Sequence, residues 1–519
     1  MTPHADFRTH SEKWNSPAGQ EPLLGASECF TNGLGNSHLP TVVSRSHLRH
    51  TPEEELHDLV CVGFGPASLA IAVALHDAMD GTDPSLNIPS LQQDAPKVAF
   101  LERQHQFAWH AGMLLPGARM QITFMKDMAT LRNPRSEFTF INYLFKNGRL
   151  IEFTNLNTFL PQRVEYEDYM RWCAGWFEEV VQYDQEVLKI VPEKSSSEGD
   201  TISTFTVLSR NLQTGELQSR RTKHVVIASG GRPNIPKPFP SNHPKVVHSS
   251  QFSHISTKLL KDFQHPYNVA VIGNGQSAAE IFDFLHSHYP NAKTRLLIKG
   301  GALRPSDDSP FVNEIFNPSR VDCTFSRDPD LRHTTITEDR NTNYGVVRLN
   351  LLERIYETLY TQRIRYGNSP VAEEQWPHRI LPYRSVLNLE GSPVINGGIR
   401  LHVRDQSPLY LSDAPNAEEK EDELDVDVVF VATGYQRDLH ETLLQDARSL
   451  MPGGGLKDAK WTVQRDYRVQ FADKKVSDDA GVWLQGCCES SHGLSDTLLS
   501  ILATRGGQIV KSIFENRSV

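Results

Sequence analysis

Two short glycine-containing segments carry the chemistry most readily read from this chain. The first, Gly63-Phe64-Gly65-Pro66-Ala67-Ser68, follows the apolar run Asp58 to Val62 and leads into Leu69 to Ala74. The second, Gly273-Asn274-Gly275-Gln276-Ser277-Ala278, follows Asn268 to Ile272 and leads into Ala279 to Leu285. In a strand–turn–helix of this kind, the first glycine permits the tight turn and the second lets backbone approach a pyrophosphate. The third position asks only for a small residue, which Ser68 and Ala278 supply. The free N–H groups at the start of the next helix then meet the phosphates. One such segment is weak evidence. Two in context imply two dinucleotides serving one active site, the design of a flavoenzyme reduced by a nicotinamide.

The residue ending the next strand separates the two nucleotides. After the first segment, Lys97 to Leu101 ends at Glu102, whose carboxylate can accept from a ribose 2′-OH. This suits FAD, with Gly63, Gly65, Pro66 and Glu102 as its ligands. After the second, Thr294 to Ile298 ends at Lys299, a cation that attracts a 2′-phosphate. That favours NADPH over NADH, held by Gly273, Asn274, Gly275, Gln276, Ser277 and Lys299.

The elements that must position these groups define an α/β chain. Two Rossmann-like dinucleotide-binding domains, for FAD and NADPH, are expected beside a smaller, mostly helical substrate-binding segment. Residues 1–55, rich in His, Ser, Asn and Thr without periodicity, are expected to be a flexible tail. The FAD-binding domain is expected over 56–236 and 424–519, the NADPH-binding domain over 237–310 and 371–423, and the substrate segment over 311–370. A hairpin is expected from Ser203 through the turn Gln213-Thr214-Gly215 back to Ala228. Two strands ending in glycine, His224 to Gly231 and Asp427 to Gly434, mark crossings between the domains, and Ala414 to Glu423 reads as a surface loop.

Composition fits a large cytoplasmic enzyme. The 519 residues are 38% hydrophobic, enough for more than one core. A net charge of −10 disfavours nucleic acid and anionic membrane, and no apolar run reaches the ~20 residues of a membrane span. Six scattered cysteines with no CxxC pair argue against a disulfide framework, a zinc site and a dithiol reductase, and the vicinal Cys487-Cys488 reads as two packed thiols.

Longer segments add a resemblance. Met120 to Asp127, Arg304 to Glu314, Thr342 to Tyr344 and His492 to Asp496 resemble the flavin-dependent N-hydroxylating monooxygenases, specifically the fungal L-ornithine N5-monooxygenases of siderophore biosynthesis. The likeness runs from about Leu56 to Phe514. It implies that NADPH reduces FAD, that O2 forms a C4a-hydroperoxyflavin, and that the neutral side-chain amine of L-ornithine is hydroxylated to N5-hydroxy-L-ornithine. It also implies a homotetramer. Lysine N6-hydroxylation and, less so, a flavin-dependent redox sensor stand as alternatives.

By the same resemblance, Lys126 holds the substrate α-carboxylate, Asn313 and Asn343 bond its polar groups, and Ser495 stands near the reacting amine. Trp109, His110, Met120, Gln121, Val187, His492, Gly493 and Leu494 are implied around FAD, and Asn343, Tyr344 and Gly345 beside the nicotinamide ribose. Asp307-Asp308 reads as a loop and cap pair rather than a general base, since neighbouring carboxylates point apart. Pro244 to Phe252 keeps His248 and an aromatic four residues on, but not the Phe and Gly that precede the histidine in ketone-oxygenating flavoenzymes.

Overall fold

The computed structural model describes residues 46–194, 200–411, 417–456 and 458–515. Most of the expected tail, residues 1–45, lies outside them. Its last ten residues are not loose. Leu48 is 1% exposed within the first core, and the Ser46 amide donates to Trp176 O at 3.0 Å.

The first sheet is built from β1 (His57–Val62), β2 (Val98–Leu101), β3 (Val181–Gln182), β4 (Gln185–Lys194), β5 (Ile202–Asn211) and β6 (Leu217–Ile227), in the order β3-β2-β1-β6-β5-β4. β1 runs parallel to both β2 and β6, and its apolar residues are buried on both faces, as a covered parallel strand requires. β6 changes partner along its length. Its first half pairs antiparallel with β5, the expected hairpin, with Gly215 in the turn at φ +77°. Its second half pairs parallel with Gly481–Leu484. Helix α1 (Pro66–Met79) starts from the first glycine segment, with Pro66 in its first turn, where the missing N–H costs nothing. Helix Leu502–Phe514 packs on α1 so closely that a Cβ at Gly506 would lie 2.6 Å from Ala70 O.

The second sheet has five parallel strands, in the order His378–Leu381, Lys293–Leu297, Asn268–Ile272, Val428–Val431 and Val246–His248. The strand Val428–Val431 corrects a boundary. The sequence division gives 424 onward to the first domain, yet this strand sits inside the second sheet, bonded to Asn268–Ile272 on one side and Val246–His248 on the other. Side chains alternate across the sheet: Val269 and Val271 pack with Phe252 and Phe282, while Ala270 packs with Leu401 and Val403. The second face is covered by an antiparallel sheet of Arg384–Gly391, Ile399–Asp405 and Lys420–Val426. Lys420 to Glu423, expected in a loop, therefore belong to a strand; residues 414–416 of that stretch lie outside the described residues.

Residues 311–370 are mostly helical, as expected, with helices Arg320–Ser326, Pro329–Asp339 and Leu349–Tyr366 and the two-residue strand Val346–Val347. No helix among the described residues is long and apolar enough to cross a membrane.

Candidate active site

Both glycine turns are forced by geometry. Gly63 has φ +91°, and a Cβ there would lie 2.7 Å from Ala228 O at the end of β6. Gly273 has φ +139°, and a Cβ would lie 2.4 Å from Ala432 O after Val428–Val431. An L side chain is strained at such φ and would strike backbone, so each turn needs glycine twice over. The strand-then-glycine endings noted in the sequence are the walls these turns press against. Gly65 and Gly275 cap the following helices in extended conformation, leaving the first N–H groups open.

A cavity of about 400 Å³ opens beside the first turn. Gly63, Gly65, Pro66, Glu102, Trp109 and His110 all line it. Glu102 is 8% exposed; its Oε2 accepts from the Phe64 amide at 2.6 Å and its Oε1 from the Gln104 amide at 2.8 Å, so the acid also braces the turn. His110 is exposed and lines the cavity. Desolvation, reinforced by Arg163 and Arg437, pushes its imidazole down to about 4, so it stays neutral.

Several wall residues were missed from sequence. Arg437 lines the cavity, half-buried and without an ion-pair partner among the described residues, a charge suited to an anionic ligand. Asp496 and Arg505 form a buried ion pair at 2.7 Å in the same wall, and Asp496 also accepts from the Cys488 amide. Tyr435 meets His110 and His248 edge-on at 5.8 and 5.2 Å. His248 Nε2 lies 2.9 Å from Gly434 O, so the histidine of the linking segment ties it to the crossing. The ending Gly434-Tyr435 was the one available signal for this group. Cys487 and Cys488 are free thiols next along the chain from the wall residues Gln485 and Gly486. Hydrogen bonds from Cys488 and His440 hold the Cys487 thiol below its ordinary range.

Other residues implied around the flavin stand elsewhere. Met120 is core, its amide donating to Pro161 O, and Gln121 is exposed. Val187 is a half-buried β4 residue packed on the first core. His492 is buried, stacked on Tyr467 at 4.0 Å and bonded to Arg465 O, while Leu494 is 2% exposed. Gly493, at φ +87°, abuts Thr324 of the helical segment. None of these six lines the cavity.

Around the second turn, Gly345 (φ +69°) comes against the Asn274 amide, and Gly275 against Gly345 backbone. Tyr344 bonds Glu489 and lies under Arg340 at 4.8 Å. Gln276 is engaged already, donating to Glu280 Oε1 and accepting from the Arg348 amide. Glu280 also takes both arms of Arg163, at 2.8 and 3.0 Å, an ion pair between the two sheets' helices. Lys299 is exposed at its strand end, with no partner among the described residues. Ser277 follows Gln276 in the first turn of helix Gln276–His288.

The four substrate candidates fall in two groups. The segment holding Asn313 and Asn343 packs against residues 489–497, which hold the buried Ser495. Lys126 is linked by contacts to the cavity wall: the buried Tyr166 hydroxyl donates to Lys126 O at 3.0 Å, and its ring meets the wall residue Trp109 edge-on at 6.3 Å. Burial lowers the pKa of the Lys126 ammonium, which has no acid or hydrogen-bond partner among the described residues. Asn313 donates its amide to Asp308 O and Ser309 O, leaving its side-chain oxygen as an acceptor. Asp307 caps the Ser309 amide and Asp308 pairs with Arg348, the loop roles expected of them.

Two glycine turns, each at the parallel strands of its own sheet, with the crossing residues Ala228 to Gly231 and Tyr435 lining the cavity beside the first, define an oxidoreductase of the two-dinucleotide class. Residues 55–437 match the family model described as L-lysine 6-monooxygenase/L-ornithine 5-monooxygenase. The L-ornithine N(5)-monooxygenase of Cochliobolus heterostrophus is 69% identical over 516 residues, 99% of this chain and 97% of that one. Among solved structures, an ornithine hydroxylase from Pseudomonas aeruginosa aligns with a TM-score of 0.75 at 36% identity, covering 89% of this chain and 99% of that chain. An ornithine N-hydroxylase from Kutzneria sp. 744, with reduced FAD, NADP+ and L-orn, aligns with a TM-score of 0.74 at 32% identity, covering 88% and 99%. The chain belongs to the L-lysine 6-monooxygenase/L-ornithine 5-monooxygenase family.

Proposed function

We propose that this enzyme uses FAD, NADPH and O2 to hydroxylate the side-chain amine of L-ornithine, giving N5-hydroxy-L-ornithine, NADP+ and water. The cradle at Gly63 and Gly65, with Glu102 and Arg437 beside it, suits FAD, because nothing stands within 4 Å of a Cβ placed at Gly65, which leaves its backbone open to a pyrophosphate. The cradle at Gly273 to Ser277 suits the NADPH pyrophosphate, with Lys299 for its 2′-phosphate and Asn343 to Gly345 beside its ribose. When bound, the two cofactors supply the hydride and the activated oxygen.

The protein's own part is binding and positioning. The observation that carries the substrate reading is Lys126: a half-buried cation without a counter-charge among the described residues, suited to a small ligand's carboxylate. Asn313, with only its amide oxygen left to use, accepts from the α-ammonium. Asn343 supplies a further amide, and Ser495 stands nearest the reacting amine. That amine is mostly protonated in water near pH 7, by analogy with lysine at ~10.4. A site that keeps charge for the α-groups alone therefore selects the neutral side-chain amine.

The family description covers lysine as well as ornithine, whereas the relative at 69% identity is named for ornithine, which favours ornithine. A cytoplasmic homotetramer acting in the first committed step of hydroxamate siderophore biosynthesis completes the reading. Product analysis with ornithine and lysine side by side, under NADPH and air, tests it. Hydroxylation of lysine in preference to ornithine, or NADPH oxidation without a hydroxylamine from either, refutes it.

A further inference from the structure

At the opposite end of α1 from the Gly63 turn, three potential metal ligands converge. His76 and Asp80 stand one helical turn apart, with His76 Nε2 3.2 Å from Asp80 Oδ2. His47, from the segment preceding β1, brings a second imidazole whose Nε2 hydrogen-bonds the other Asp80 oxygen. The two rings stack with centroids 4.9 Å apart and planes 17° from parallel. One ligand atom from each residue lies within 4.8 Å of the other two.

The site is built as well as close. The His76 ring is 3% exposed and wedged edge-on against Phe138 (5.1 Å) and Trp176 (5.6 Å), so it cannot swing away. Its Nδ1 is buried without a partner among the described residues, so packing and Asp80 alone fix its orientation. We propose that His47, His76 and Asp80 bind one divalent transition ion of the zinc type, with water completing the coordination. Two imidazole nitrogens and one carboxylate oxygen are a donor set that Zn2+ takes, whereas Ca2+ and Mg2+ ask for oxygen throughout. Zinc bonds of ~2.0–2.2 Å require the ligands to draw in slightly. His47, with its side chain 49% exposed, is free to make that movement while His76 stays fixed. The ion staples the segment entering β1 to the end of α1, remote from the glycine turn.

Zinc uptake by the full chain tests this. The protein is stripped of metal with a chelator, desalted and dialysed against buffered Zn2+, and bound zinc is counted per chain. His47→Ala removes an exposed side chain and leaves α1 packed; Asp80→Asn removes the bridging charge. The wild-type chain should hold one more Zn2+ than either variant at low free zinc. Each variant should weaken that site by more than the ~10–100-fold typical of a group that merely supports a ligand. An excess of Ca2+ should not displace the ion, and NADPH oxidation with ornithine should be unchanged in His47→Ala. Full zinc affinity in either variant, equal stoichiometry in all three proteins, or no saturable uptake by the wild type overturns the proposal.

Discussion

Replacing Lys126 with alanine should separate substrate binding from flavin reduction. The ammonium is half-buried, its pKa is lowered by desolvation, and no acid among the described residues compensates it. A carboxylate that arrives there relieves an unmet charge and gains a charge-assisted hydrogen bond, worth ~1.5–3 kcal/mol. At about 1.4 kcal/mol per factor of ten, loss of that bond raises the ornithine KM roughly tenfold to a hundredfold. Half-exposure places the effect in the lower part of that range, since solvent screens the pair. Lys126→Arg keeps the charge and should recover much of the loss. Two assays are needed: steady-state hydroxylamine formation against ornithine concentration, and rapid-mixing reduction of the enzyme by NADPH without ornithine. The first should shift and the second should not. Equal loss in both, or an unmoved KM, would refute the carboxylate role and recast Lys126 as a packing residue beside Tyr166.

Three further outcomes follow from the geometry. Lys299→Ala should raise the NADPH KM roughly tenfold to a hundredfold while sparing NADH, and equal use of both nucleotides would shift attention to Arg304. Gly273→Ala would set a Cβ 2.4 Å from Ala432 O at φ +139° and should cut NADPH-dependent reduction at least ~10-fold, whereas Gly300→Ala meets nothing within 4 Å; comparable rates in the two variants would count against the crowding argument. Buried His492 and His378, pushed down to about 4 and about 3 by burial, are neutral in the fold and protonate more easily when unfolded. Their stabilisation is complete above about pH 6.5 and drains away as pH falls towards 4, by about 2 kcal/mol each at pH 5. Denaturant unfolding at pH 7.5 and 5.0 should show that drop, and His492→Gln should remove about half of it, leaving the His378 share; a pH-independent midpoint would count against it.

Local signals in the chain were legible, and long-range ones were not. The glycine turns, their strands and the β5–β6 hairpin are written in contiguous apolar runs and turn residues. The strand Val428–Val431 is equally plain as a strand, but an apolar run does not say which sheet accepts it. Lys420 to Val426 opens with four charged, exposed residues and has only Leu424 and Val426 as apolar ones, so its charge masks its pairing. Leu48 is a single apolar residue in polar surroundings, and only the finished core shows that it is packed. The cavity wall draws on residues near 63, 109, 250, 435 and 496. Arg437 is an ordinary arginine until those stretches meet, and the stack of His492 on Tyr467 and its bond to Arg465 O join residues that the sequence gives no reason to pair.

The late return of the chain to the first sheet sets an order of assembly. Every strand of the second sheet lies between Val246 and Val431, so that half can close while the rest is still being synthesised. The first half cannot. Gly481–Leu484 must dock on β6, and Leu502–Phe514 must seat Gly506 against Ala70, before its core is sealed. The cavity wall at Gln485, Asp496 and Arg505 arrives with those same late pieces. The N-terminal half of the message thus encodes a domain that matures last, reversing the usual vectorial sequence. A ribosome that stalls near residue 480 would release a chain with a closed second sheet and an open, apolar first one, a natural target for chaperones and proteases.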